Sequence, residues 1–227
     1  MKKLVITTLI FFLGTLAPSK AIDIGFNIGI SGAANVYEAG NAKEHHPGLT
    51  KNSADEHEDA QALFGVVAPF AEITLNDKFL VGLDYVPYSL ETESVSNNQE
   101  VKGKESPKVT GTNVTNVAKV EIEEMMSFYA AFYVTENFYA KAGIMTANAN
   151  TKEVLATGGS YPDADLEGGF IGFGYERALP ANSFIRIEGN YTQIDDVSVT
   201  NSADSTKKIT ISDIDGYGAK LSIGKSF

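Results

Sequence analysis

The sequence predicts an all-β fold, an eight-stranded antiparallel up-and-down β-barrel that crosses a membrane, with short turns on one side and long loops on the other. Two observations carry this prediction. Apolar residues alternate with small or polar residues along eight segments, and the connections between the segments alternate between very short and long. A period of two residues places one set of side chains on each face of a strand.

The alternation is clearest in the first segment. Isoleucine or phenylalanine occupies every second position from Ile22 to Ile30, and aspartate, glycine or asparagine occupies the positions between them. A helix would spread these apolar residues around its circumference, and its glycines would destabilise it. The segment therefore predicts a strand with one apolar face and one small, polar face.

Seven further segments repeat this pattern. The predicted strands are 22–37, 60–75, 79–92, 117–134, 138–149, 168–177, 183–195 and 209–227. Short connections rich in turn-forming residues join them in pairs, at 76–78, 135–137 and 178–182. The four long, polar connections are 38–59, 93–116, 150–167 and 196–208. An even number of strands places both chain ends on the side of the short turns, which is periplasmic in outer-membrane barrels.

The first 21 residues predict a secretory signal peptide, which leaves 22–227 as the barrel domain. Residues 1–3 are basic at two positions, residues 4–13 are apolar, and residues 19–21 offer small side chains for cleavage. The alternative, a retained N-terminal membrane anchor, is disfavoured because the apolar run is too short to span a bilayer. We therefore expect the mature chain to be secreted and integrated into the cell outer membrane.

Composition argues against several classes of function. The chain contains no Cys, which excludes a disulfide framework, a Cys-ligated zinc site and a thiol nucleophile. Its formal net charge of −11 argues against a nucleic-acid partner, because such proteins need a basic face. No cofactor is expected.

The last eleven residues carry the most specific signal. They place Tyr217, Leu221 and Ile223 on the same face as the terminal Phe227. With the strand pattern, this segment resembles the C-terminal signature of the small eight-stranded outer-membrane barrels typified by OmpA, OmpX and OmpW. The resemblance implies that the barrel-assembly machinery reads the terminal aromatic residue. We expect a monomer in contact with outer-membrane lipid and lipopolysaccharide. Lys225 departs from the signature, because the family usually has an apolar or aromatic residue there.

Taking the apolar face of each strand as the lipid face sends charged side chains into the barrel. The predicted lumen charges are Glu72, Asp84, Lys141, Glu176, Arg186, Glu188 and Lys220. A Lys or Arg facing lipid at mid-membrane costs about 2–4 kcal/mol, so these groups should point inward and pair. An eight-stranded barrel is only wide enough for its own side chains. Paired charges, with inward Tyr129, Tyr133, Tyr139, Met125 and Met145, are therefore expected to plug the lumen.

The histidines are weak candidates for metal ligands. His45, His46 and His57 all fall in the first long connection, with Asp55 and Asp59 beside His57. Imidazoles and carboxylates can bind a divalent cation, but no ligand spacing recurs, and a solvated acidic loop explains the pattern better. The chain has no Gly-x-Ser-x-Gly elbow for a nucleophile, so no enzymatic role is expected.

Two functions and one alternative architecture follow from these patterns. The preferred function is structural and surface-facing: the barrel anchors acidic loops outside the cell for envelope integrity, adhesion or shielding. The alternative is a narrow porin-like or OmpW-like channel for small or hydrophobic solutes, which a lateral opening or an apolar lumen path would favour. A soluble β-sandwich or lipocalin-like barrel would show the same alternation with the apolar face turned inward.

Overall fold

The computed structural model describes residues 23–45, 60–92, 94–101, 112–155 and 159–227. The strands in these ranges are β1 (Ile24–His45), β2 (Ala60–Leu75), β3 (Phe79–Tyr85), β4 (Leu90–Glu91), β5 (Val95–Val101), β6 (Thr112–Tyr133), β7 (Phe138–Val154), β8 (Ala164–Leu179), β9 (Ser183–Ile194), β10 (Val197–Thr200) and β11 (Lys208–Ser226). Within the same ranges, no helix has the length and apolar character needed to cross a membrane.

Eight of the strands form a closed antiparallel ring in the order β1, β2, β3, β6, β7, β8, β9 and β11. β11 pairs back with β1, from Asn27 opposite Ser226 to His45 opposite Lys208. The backbones of Phe26 and Phe227 exchange two hydrogen bonds that complete this seam, at 3.2 and 2.8 Å. β4 and β5 continue along β6, and β10 continues along β11. The predicted eight-stranded antiparallel barrel is confirmed.

The outer surface of the ring is apolar. Large side chains point away from the barrel with much of their area exposed, as at Ile187 (60%) and Leu221 (56%). Aromatic rings cluster towards the two ends of this surface. Phe138 stacks on Phe173 at 5.7 Å near the short turns, and Tyr191 meets Tyr217 at 5.4 Å towards the other end. An apolar exterior with aromatic girdles around a charged interior is the pattern of a transmembrane barrel, and it excludes the soluble alternative.

Most strands extend further than the sequence predicted on the side opposite the short turns. The predicted strand 79–92 is the exception, because β3 ends at Tyr85 and the strand resumes only as β4. Residues 38–45, 112–116, 150–154 and 164–167 were expected to be loop, and they are strand. The prediction was wrong there because both faces of a strand outside the membrane meet water, so the apolar alternation disappears while the backbone pairing continues. β1 and β6 each have 22 residues, and about 9–11 are enough to cross a bilayer, so roughly half of each strand projects beyond the membrane.

Short turns join the strands at the opposite end of the barrel. Leu75 pairs with Phe79 and Leu179 with Ser183, so three residues lie between the paired positions in the first and third turns. In the second turn Tyr133 pairs with Tyr139, and five residues lie between them. The third turn is therefore 180–182, and the predicted span 178–182 was too long because Ala178 and Leu179 still pair with β9. Asn76 and Asp77 have φ of 52° and 54°, a conformation that asparagine and aspartate adopt more readily than most other residues.

Candidate functional site

The structure places all of the predicted lumen charges inside the barrel, in two layers. The layer nearer the short turns is centred on Arg186, which is 6% exposed. Its Nη1 donates to Glu72 Oε1 at 2.5 Å, and its Nε donates to Glu176 Oε2 at 2.6 Å. Tyr133 Oη also donates to Glu176 Oε2, at 2.6 Å, and Asn27 Nδ2 donates to Glu72 Oε2 at 3.1 Å. One guanidinium thus binds two carboxylates from different strands.

The second layer lies farther from the short turns and consists of two ion pairs. Lys141 Nζ is 2.8 Å from Glu188 Oε2, and Lys220 Nζ donates to Asp84 Oδ2. Tyr139 Oη donates to Glu188 Oε2 at 2.9 Å. The charges of each pair cancel, so this layer as a whole carries no net charge.

Tyr129 joins the two layers. Its hydroxyl donates to Glu72 Oε1 at 3.0 Å in the first layer and lies 3.5 Å from Asp84 Oδ1 in the second. Its ring lies beneath the ammonium of Lys141, 4.2 Å from Nζ to the ring centroid. Every lumen carboxylate therefore has both a cationic partner and a tyrosine hydroxyl within 3.5 Å. A buried ionic cluster needs such compensation, because an unpaired charge would carry the full cost of leaving water.

Glycines on neighbouring strands make room for the inward rings. Tyr129 lies directly opposite Gly82 across one strand pair, and Tyr139 lies opposite Gly174 across another. A Cβ added at Gly82 would lie 2.7 Å from the Tyr129 ring, and one at Gly174 would lie 2.3 Å from the Tyr139 ring. The sequence predicts a small-residue face but not this use of it. The available signal was an inward glycine in register with an inward aromatic residue.

Beyond the second layer, the lumen holds a cavity of about 80 Å³ that opens away from the short turns. Its floor is the two ion pairs of the second layer. One wall is polar and includes Ser31, Asn35, Asn190 and Thr192. The opposite wall is apolar and includes Val66, Ala68, Val86, Met125 and Met145. The sequence predicted both methionines as lumen residues but gave no indication that they line an open space.

The barrel wall is interrupted beside this cavity. Pairing between β2 and β3 stops where Phe70 faces Asp84, and in the described residues β2 continues towards Ala60 paired with β1 alone. The first residue beyond the break is Pro69, which has no N–H to donate to a ladder. The Val67 N–H, on the same open edge, donates to Tyr88 Oη at 2.5 Å.

On the other side of the gap from β2 lie residues 86–91, which follow β3. Val86 N–H donates to the Met125 carbonyl at 2.9 Å, and Leu90 pairs with Ile122, so this segment stays attached to β6. Val86 and Leu90 point inward and form an apolar cluster with Val66 and Ala68 of β2. This buried cluster therefore fills the gap in backbone pairing and alone separates the cavity from the outer surface at this point.

The remaining predicted site residues lie elsewhere. His46, Asp55, His57 and Asp59 fall outside the described residues, and of His45 only the backbone, at the end of β1, is described. Among the described residues, no group of three or more His, Cys, Asp or Glu side chains could hold a metal ion. The proposed assembly residues all face outward and are strongly exposed: Tyr217 (53%), Leu221 (56%), Ile223 (53%) and Phe227 (66%).

Comparison with known proteins gives structural likenesses only. No protein-family model and no curated protein matches the chain. Solved structures similar to it include Neisserial surface protein A, at 12% identity and a TM-score of 0.42, covering 92% of this chain and 100% of the other. The attachment invasion locus protein Ail of Yersinia pestis is 13% identical with a TM-score of 0.37, covering 88% and 99%. The outer membrane protein OprG of Pseudomonas aeruginosa is 15% identical with a TM-score of 0.43, covering 89% and 95%. Identities this low say nothing about a shared function.

Proposed function

We propose that this protein is an outer-membrane barrel that anchors a rigid, charged rim at the cell surface and does not form a diffusive pore. The observation that carries the proposal is the pair of charge layers across the lumen. In these layers Glu72, Lys141, Arg186 and Glu188 are each at most 8% exposed and each ion-paired. A hydrated ion would have to displace these partners to pass.

The surface-facing part of the proposal rests on the length of the strands. They continue well past the membrane on the side opposite the short turns, so the protein presents paired β-ribbons there. Two ion pairs, each with one exposed and one partly buried side chain, lie on this projecting part. They join Lys119 to Glu91 and, at 3.4 Å, Lys152 to Glu121. Such a rim suits contact with other surfaces or shielding of the envelope. We expect a monomer in outer-membrane lipid and lipopolysaccharide, delivered by the barrel-assembly machinery.

A second function is favoured by the gap between β2 and residues 86–91. β3 has seven residues, and at about 2.5 Å of axial rise per residue in a tilted strand it ends roughly 18 Å above the short turns. The gap therefore begins within an apolar belt about 25 Å tall. An apolar solute that entered the lumen from outside could leave sideways into lipid. This is the hydrophobic conduit that the sequence left as an alternative.

Conductance tests the plugged lumen. Residues 22–227, refolded and shown to be folded by heat-modifiable migration on a gel, should be silent in a planar bilayer. Lys141→Ala with Glu188→Ala removes one ion pair of the second layer without leaving a lone charge, and it should raise the frequency of brief openings. Stable conductance of the unaltered barrel would overturn the plug.

Surface exposure is tested by labelling intact cells, which the absence of cysteine makes simple. Ser202→Cys on the projecting side should react with a membrane-impermeant maleimide on intact cells. Asp77→Cys in a short turn should react only after the outer membrane is permeabilised. Both positions are exposed in the structure, so accessibility of the side chain itself does not distinguish them. The reverse labelling pattern would contradict the proposed orientation.

A further inference from the structure

We infer that the outer lumen cavity is a binding site for a small neutral amphiphile, a molecule with a hydrogen-bonding group on one side and an apolar body on the other. We also infer that Tyr88 holds the wall gap beside this site shut. The inference rests on the second function above, the hydrophobic conduit, and names the place where its solute would bind.

The polar wall of the cavity presents two side-chain amides to the same point. Asn35 of β1 and Asn190 of β9 lie on either side of Gly218 of β11, in direct register with it. A Cβ added at Gly218 would lie 2.0 Å from Asn35 Oδ1 and 2.6 Å from Asn190 Oδ1, so both amides turn over the bare glycine. In the part of the chain that the structure describes, neither side-chain amide has a protein hydrogen-bond partner. Each can offer a donor and an acceptor to a ligand.

The other surfaces of the cavity determine the polarity, charge and size of the rest of the ligand. Val66, Ala68 and Val86 are buried and present only apolar atoms, and Met125 beside them is a side chain that adapts to different shapes. The floor is occupied by ion pairs that already satisfy one another, so it does not call for a charged ligand. A volume of about 80 Å³ would admit roughly five to eight water molecules, which is comparable with a six-membered ring.

From the cavity, a ligand would meet a firm barrier towards the periplasm and a weaker barrier towards the lipid. The two charge layers block passage towards the periplasm. Towards lipid, the described residues of β2 beyond Phe70 have no ladder partner on the gap side, and the hydroxyl of Tyr88 takes the Val67 N–H that a neighbouring strand would otherwise accept. Tyr88 lies on the outside of the wall and is 42% exposed. One side-chain hydrogen bond thus replaces several backbone bonds at the point where the apolar cluster meets the membrane.

Binding can be measured with a defined probe. 4-Fluorobenzamide has an apolar ring and an amide, and its ¹⁹F signal should shift and broaden on binding to the refolded barrel in lipid nanodiscs. Fluorobenzene lacks the amide and should bind at least tenfold more weakly. Asn190→Leu should reduce affinity for 4-fluorobenzamide at least tenfold, whereas Gln193→Leu, on the outward face of the same strand, should leave it unchanged. Heat-modifiable migration shows that each variant is folded. No saturable binding, or equal binding by Asn190→Leu, would overturn the site.

The role of Tyr88 has its own readout. Tyr88→Phe removes only the hydroxyl, so hydrogen exchange of the Val67 amide should accelerate at least tenfold. Tyr85→Phe, which alters a neighbouring tyrosine on the same outer surface, should leave this amide protected. Unchanged exchange in Tyr88→Phe would overturn the inference that its hydroxyl closes the gap.

Transfer into lipid separates the binding site from the conduit. Nitroxide-labelled lipid in the nanodisc should broaden the signal of bound probe, and more strongly in Tyr88→Phe. Saturable binding without broadening would leave the binding site supported and overturn the conduit function on which it was argued. Ala68→Cys with Val86→Cys places two thiols in the same apolar cluster, on opposite sides of the gap. Their disulfide should abolish the broadening, and reduction should restore it.

Discussion

Replacing Arg186 with leucine should destabilise the barrel by about 3–5 kcal/mol, the usual cost of removing one partner of a buried ion pair. The guanidinium makes charge-assisted hydrogen bonds of 2.5 Å to Glu72 and 2.6 Å to Glu176. Such bonds are worth about 1.5–3 kcal/mol each, which agrees with this range. Glu72 is only 2% exposed, so water cannot replace the lost partner without opening the lumen.

The assay is equilibrium unfolding in urea, with the folded fraction read from heat-modifiable migration of the lipid-reconstituted barrel. Lys152→Met is the matched control, because it removes a lysine whose side chain is 59% exposed and 3.4 Å from its partner. An exposed pair of this kind contributes little, so its urea midpoint should stay within error of the unaltered protein.

A double-mutant cycle makes the prediction sharper. Glu72→Gln should destabilise the unaltered protein, because it weakens the bond to Arg186. In the Arg186→Leu background the same change should stabilise the protein, because it removes a buried carboxylate that has lost its cation. If Glu72→Gln changes the free energy of unfolding with the same sign in both backgrounds, the two groups are not coupled through the lumen.

Three further predictions concern the ring packing, the chain end and the rim. Gly82→Ala should cost about 1–3 kcal/mol in urea unfolding, because its Cβ would displace the opposite tyrosine, whereas Gly189→Ala, which meets open space, should cost less than half as much. Phe227→Ala keeps the backbone bonds of the seam, so it should refold normally in vitro but accumulate less in the outer membrane of cells; normal accumulation would contradict the assembly signal. The Ser89 hydroxyl, by its hydrogen bond, lowers the pKa of Glu121 on the rim. Ser89→Ala should therefore raise this pKa in an NMR titration, and the rim interactions of the carboxylate, present at neutral pH, should be lost at a higher pH as the solution is acidified.

The sequence was informative wherever the bilayer imposes a rule on each residue. Ile185 and Ile187 had to face lipid, so Arg186 between them had to face the lumen, and this parity alone placed the buried charges. The same logic found the strands of the membrane belt. It failed at residues 38–45 of β1, because outside the bilayer nothing distinguishes the two faces of a strand, and only the pairing with β11 shows that the sheet continues.

The partners within the lumen could not be read from the sequence, because they depend on register. Alternation says that Glu72 and Arg186 point inward, but 114 positions separate them in the chain. Whether they meet depends on how far each strand is staggered against the next around the ring. The sequence does contain some information about this stagger, because inward glycines lie opposite inward aromatic rings, as Gly82 lies opposite Tyr129.

The gap in the wall shows why a pattern of side chains can hide a feature of the backbone. Val67 is apolar and faces outward, and Val66 and Ala68 face inward, so β2 alternates as a complete strand would through the region where it loses its neighbour. The residues that mark the gap are Pro69 in β2 and Pro87 in the segment 86–91, one on each side. Proline is tolerated in a sheet where no ladder donor is needed, so each alone would be unremarkable in an edge strand. A closed barrel has no edges. A proline in β2 and another in the segment that follows β3, at the level where pairing stops, therefore indicate that closure is incomplete at that point. The structure fills part of the deficit with the Tyr88 hydroxyl, which is why exchange of the Val67 amide is the most direct measure of how firmly the wall is closed.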